Sequence, residues 1–190
     1  MSSAVTFPVR NYSLTEAAIL SNPHLSTATW PDVLARPEID TEIEEPSSTR
    51  LPKVVIRKAA SEVTVEIISI SPLAPAFRKS VRRVAELLIL PEGWNSYKAR
   101  PIDVGSASRT ISLLAELIGQ DTPPPSVVPR VRGGIQLEWH TKGCDIEVYI
   151  DSPEMVSFTA EDIPSGESIE LPLAGNEGVL ASWVQRISGK

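Results

Sequence analysis

One cysteine in 190 residues, Cys144, excludes an internal disulfide framework and any zinc site built from several thiolates. No apolar run approaches the length of a membrane span, and MSSAVTFPVRNYS lacks the basic-then-apolar order of a secretory leader. The reading is a soluble, cytoplasmic protein. A surplus of cations is missing too. Lys and Arg total 18 against 24 Asp and Glu, a net charge of −6, so the fold-wide basic surface of a nucleic-acid binder is absent. Nor is there an HExxH, a phosphate loop, a GxSxG or a dinucleotide fingerprint, and GNEG near residue 175 reads as a turn before a helix. Aromatic residues number only ten, yet two of them, Trp94 and Tyr97, sit in the glycine- and proline-bounded stretch LPEGWNSYKARPIDVG.

Proline, by contrast, is plentiful at 17 residues. Prolines 8, 23, 31, 37 and 46 interrupt residues 1–50, where three arginines face seven acids and leave −4 of the net charge. This segment is expected to be a largely disordered acidic tail. Ser13-Leu14-Thr15-Glu16 has capping-box spacing for one short helix, and Leu14, Ile19, Leu20 and Trp30 are candidate docking anchors.

Residues 51–190 read as one α+β domain. KVVIRKA and EVTVEIISIS have the β-branched alternation of two strands around a Lys58–Ser61 turn. AFRKSVRRVAELLIL then switches to helical period, with Phe77, Val81, Val84 and Leu88 on one stripe. Asp103 can cap a second helix whose stripe is Ala107, Ile111, Leu114 and Ile118, with Gly119 placed as its stop. After the triple proline at 123–125, SVVP, GGIQLEWHT, CDIEVYID and MVSFTAED read as an antiparallel meander. A short IELPL strand and the helix EGVLASWVQRI follow. The expected architecture is a three- to five-stranded antiparallel sheet packed against two central helices, with a C-terminal helix.

A two-residue Lys142-Gly143 turn would pair Thr141 with Cys144 and set the register of the hairpin. Trp139, Leu137 and Ile135 then face Ile146, Val148 and Ile150 on one side. His140, Glu138 and Gln136 face Asp145, Glu147 and Tyr149 on the other. Cys144 and His140 fall on opposite faces, which disfavours a Cys–His nucleophile. Glu138 opposite Glu147 is a like-charge pair costing a few tenths of about 1 kcal/mol when solvated. Three offsets are open: splaying into water or toward Arg130 or Arg132, a basic patch on a protein partner, or a divalent metal held by Glu138, Glu147 and His140 with Asp145 behind them. The four cations Arg78, Lys79, Arg82 and Arg83 form a solvated helix face or pair with acids, the chain's own EIDTEIEE among them; a phosphate backbone fits poorly with the net acidity. In the loop between the helices, Trp94 and Tyr97 either plug the core edge or contact a partner.

GWNSY, PPPSVVP and GGIQLEWH followed by IEVYI together resemble a family of small, poorly characterised bacterial proteins. That family shares a Gly-Trp-Asp/Asn-x-Tyr loop, a Pro-Ser-Val-Val-Pro lead-in and a Gly-Gly-x-Gln-Leu-Glu-Trp strand, and is loosely associated with mobile or accessory loci. The resemblance covers about a third of the chain and leaves the N-terminal segment outside. It implies a bacterial, cytoplasmic origin, marks Trp94, Tyr97, Gln136, Glu138 and Trp139, and implies no catalytic role.

The functional expectation is a non-enzymatic protein–protein interaction module of the antitoxin, immunity or accessory-subunit kind. Its partner would be another protein, such as the product of a neighbouring gene. Trp94, Tyr97, Gln136, Glu138, His140, Glu147 and Tyr149 are the candidate partner-binding residues, with no catalytic residue, metal or cofactor assigned. A divalent-metal hydrolase using the hairpin carboxylates is the rival, and a nucleic-acid-binding accessory comes third.

Overall fold

Alternating β-branched residues build the first hairpin, β3 (Lys53–Ala59) and β4 (Glu62–Ser69), paired antiparallel from Ala59↔Glu62 to Lys53↔Ile68. The protein is seen here in a computed structural model that describes residues 3–8, 15–16, 52–59, 62–69 and 72–189. On the other side of β4 the backbone of β1 (Ser3–Pro8) pairs along its whole length, and β2 (Thr15–Glu16) adds to β1. Of the segment 1–50 read as an acidic tail, only these two strands are described; Thr15 and Glu16 are extended where the capping box predicts a helix, and the anchors Leu14, Ile19, Leu20 and Trp30 lie outside the described residues.

Helical periodicity produces α1 (Pro75–Leu88), with Pro75 in the first turn, where its missing N–H costs no hydrogen bond, and Phe77, Val81, Val84 and Leu88 buried. In α2 (Val104–Leu117), the Asp103 carboxylate accepts from the Ser106 N–H at 2.8 Å, and Ala107, Ile111 and Leu114 are buried. Its end differs from expectation. Gly119 is not left-handed; Ile118 turns extended, and Thr122 Oγ1 accepts from the Gly119 N–H at 3.0 Å, a side-chain stop in place of a glycine one.

Five strands then run as a meander: β5 (Ser126–Pro129), β6 (Ile135–Thr141), β7 (Cys144–Ile150), β8 (Val156–Asp162) and β9 (Glu167–Pro172), in that spatial order. The β6–β7 register is the expected one, from Thr141↔Cys144 to Ile135↔Ile150. Lys142 and Gly143 both have positive φ, 52° and 76°, the backbone of a primed two-residue turn whose twist matches that of the strands. The chain closes with α3 (Glu177–Ile187), which buries Leu180, Trp183, Val184 and Ile187.

The β3–β4 hairpin does not join the meander. Instead α1 contacts β4 and β5 while α2 contacts β3, β6 and β7, so the two central helices lie between the hairpin and one face of the five-stranded sheet, and α3 packs on β7. A single buried cluster runs through all three layers, from Val63, Val65 and Ile67 to Ile146, Val148 and Phe158. The other face of the meander carries no helix among the described residues. No helix there is long and apolar enough to cross a membrane.

Candidate functional site: the open face of the meander

Because residues directly paired across strands share a face, the register writes out the open side row by row. One row is His140, Asp145, Glu161 and Ser168; the next is Ser126, Glu138, Glu147, Thr159 and Glu170; the third is Val128, Gln136, Tyr149, Ser157 and Pro172. Five carboxylates project from these strands, and no lysine or arginine does. Five of the seven expected binding residues lie here together: Gln136, Glu138, His140, Glu147 and Tyr149. Glu161 and Glu170 were missed, although carrying the period-2 alternation onward through VSFTAED and IELPL would have reached them.

The like-charge pair resolves by turning its members apart. Glu147 Oε2 accepts from the Tyr149 hydroxyl and from Gln136 Nε2 at 3.3 Å, toward the third row. Glu138 lies 3.9 Å from His140 Nε2, toward the first, and His140 Nδ1 lies 3.0 Å from Asp145 Oδ1. Neither carboxylate meets an arginine among the described residues: Arg130 pairs with Asp151 at 3.1 Å and lies 4.8 Å over the Tyr149 ring. Burial, then the bond to Glu147, raise the Tyr149 phenol above its ordinary range, because the phenolate would sit half-buried beside a carboxylate. Glu147 therefore turns away from the other two proposed metal ligands, Glu138 and His140, and among the described residues no group of three or more His, Cys, Asp or Glu could hold an ion.

Cys144 faces inward while His140 faces out. Burial, followed by the charge of Asp162, raises its thiol pKa, and the scarcity of thiolate makes it a packing residue.

Trp94 and Tyr97 sit elsewhere, on the α1–α2 loop. That loop is knit by its backbone: the Gly93 N–H bonds to Ala99 O at 2.8 Å, and Asn95 Oδ1 accepts from the N–H groups of Tyr97 and Ala99 at 3.0 and 3.3 Å. Trp94 is half-buried and its indole N–H donates to Arg100 O at 3.2 Å, whereas Tyr97 is 81% exposed. What the loop sinks into the core is Ala99 and Ile102; of the two readings open for the rings, plugging the core edge applies at most to Trp94, and Tyr97 stays at the exposed rim.

The motif pieces hold one another. Arg100 N–H bonds to Val131 O and Asp103 N–H to Gly133 O, each at 2.9 Å, docking the loop on the β5–β6 turn. A side chain at Gly134 would put its Cβ 2.3 Å from Ile150 O, so only glycine fits. The buried Trp139 donates its indole N–H to Pro123 O at 2.8 Å, tying the proline run to β6. Asn95, Gly133, Gly134 and Trp139 are thus architectural, while Tyr97, Gln136 and Glu138 point outward. The chain matches no protein-family model, no curated protein and no solved structure.

Proposed function

We propose that this is a non-enzymatic protein–protein interaction module of the antitoxin, immunity or accessory-subunit kind, working in a bacterial cytoplasm, and that the open face of the meander is its docking surface. The observation that carries this reading is that face: one side of the sheet is buried under helices, the other bears five carboxylates without a strand-borne cation. Carboxylates gathered on a rigid sheet repel one another in the free protein, and a basic partner relieves that repulsion on binding while gaining steered association. Gln136, Tyr149 and His140 add hydrogen-bonding groups and a ring among the charges. Tyr97 supplies an exposed aromatic anchor at the sheet's end.

The test is charge reversal. With Glu138, Glu147, Glu161 and Glu170 changed to Lys, the isolated domain keeps its circular dichroism. Its affinity for the product of the neighbouring gene falls by tenfold or more, a loss of about 1.4 kcal/mol or greater. Unchanged affinity in the folded variant refutes the docking surface. A Mn²⁺-, Mg²⁺- or Zn²⁺-dependent rise in melting temperature that Glu138→Gln abolishes would instead favour the hydrolase.

A further inference from the structure

Spacing along α1 gathers its cations: Lys79, Arg82, Arg83 and Glu86 stand at i, i+3, i+4 and i+7 and so share one face of the helix. That face and the lead-in to β5, Pro124, Pro125 and Val127, line a cleft of about 520 Å³. The volume falls within the range of about 300–1,000 Å³ usual for small-ligand sites. Glu86 is the one acid in the lining, and it is already paired with Arg83 at 3.0 Å. Lys79 and Arg82 are exposed and have no carboxylate partner among the described residues.

The three cations are held differently. Arg83 is fixed at two points of its guanidinium, Nε donating to Val127 O at 3.4 Å and Nη1 to Glu86. Its remaining N–H groups therefore keep a set orientation, which lowers the entropy lost on binding. Lys79 and Arg82 are free to close on a charge that Arg83 receives.

The β5 strand adds a backbone donor. Arg130 N–H bonds to Gly134 O just past the strand, and bonded residues alternate along an antiparallel pair, so Ser126 and Val128 turn their N–H groups toward β6. Val127 turns away from β6, as the Arg83 bond to its carbonyl requires. With proline at 125 and 129, the Val127 N–H is the one donor on that edge, and no added strand can pair there.

A set made almost wholly of donors calls for an oxyanion. Phosphate suits it best, because its several oxygens and double charge can engage a forked guanidinium and two further cations at once. A long polyanion does not suit it. Ser126 at the rim pairs directly with Glu138 on the open face, where five carboxylates stand and repel a second run of negative charge. A compact ligand instead keeps its charge within about 8–10 Å of the cations, inside the screening length. Pro124 and Pro125 offer uncharged rings to the rest of such a molecule.

We propose that the cleft between α1 and β5 binds a small phosphorylated ligand of about mononucleotide size, its phosphate among Lys79, Arg82 and Arg83 and its apolar part against Pro124 and Pro125. The experiment is titration calorimetry of the full chain in 0.05 M salt, with ADP, pyrophosphate and adenosine as probes. ADP is expected to bind one to one and more tightly than pyrophosphate, and adenosine not to bind. Changing Lys79 and Arg82 together to Gln should weaken ADP binding tenfold or more. Changing Arg78 and Lys98 to Gln removes the same charge outside the cleft and should leave the affinity within twofold, with circular dichroism showing both variants folded. Absence of ADP binding, equal losses in the two variants, or adenosine binding as tightly as ADP overturns the proposal. So does tighter binding of pyrophosphate, of a hexaglutamate peptide or of an oligonucleotide than of ADP.

Discussion

Asn95 accepts from two backbone N–H groups through one side-chain oxygen, a role that Asn or Asp can fill. Both residues present an acceptor at that distance from the backbone, and alanine presents none. Asn95→Ala should therefore cost about 1–2 kcal/mol, the net worth of two hydrogen bonds, in chemical denaturation, while Asn95→Asp should cost little. Tyr149 makes a second residue-scale prediction. Its folded phenol titrates above the unfolded one, so the fold favours the protonated form. The stability this contributes is fully present below the unfolded phenol's range and is lost as pH rises through the folded one. Parent stability should decline on the alkaline side, and in Tyr149→Phe that decline should flatten; equal alkaline slopes would contradict a phenol raised by its burial and by the bond to Glu147.

At the level of elements, the β6–β7 hairpin has a register fixed by its turn and by burial on one face. Leu137 is fully buried opposite Val148, whereas Gln136 projects from the open face beside Glu147. Leu137→Asp buries an unpaired charge and should cost about 3–5 kcal/mol or prevent folding. Gln136→Asp replaces a donor to Glu147 with a third carboxylate, and should cost about 1 kcal/mol. Urea melts of the two variants separate these outcomes, and equal midpoints would refute the register. α1 and α2 were legible from the same kind of evidence, since four apolar residues at helical spacing marked the buried stripe of each. The stop of α2 was not legible: Thr122 Oγ1 reaches Gly119 through a turn whose geometry no local propensity encodes.

Over the whole molecule, charge is segregated. Five carboxylates occupy the open side of the meander, while Lys79, Arg82 and Arg83 line a cleft at its β5 edge. A field so arranged would steer the proposed basic partner toward the open face. The affinity of the partner complex should accordingly weaken as salt rises from 0.05 to 0.5 M, because screening shortens the reach of that field to a few ångströms. The charge-reversed variant should have lost this dependence. A salt-independent complex would place the energy of binding in Tyr97 and the apolar surface instead.

Periodicity and turn chemistry by themselves determined the α+β class, both central helices, the β6–β7 register and which of its residues face outward, because side-chain direction in a strand or helix repeats with a fixed local period. They also placed Gln136, Glu138, His140, Glu147 and Tyr149 on one face. Only the tertiary structure decided that the β3–β4 hairpin stands apart from the meander with α1 and α2 between them. It alone decided that Glu147 turns to Tyr149 and Gln136, that Gly134 must be glycine against Ile150 O, and that Trp139 ties β6 to Pro123. The cleft beside β5 likewise joins α1 to residues more than forty positions away. Contacts of that kind depend on how layers dock in space, and docking is settled by long-range packing that leaves no period along the chain.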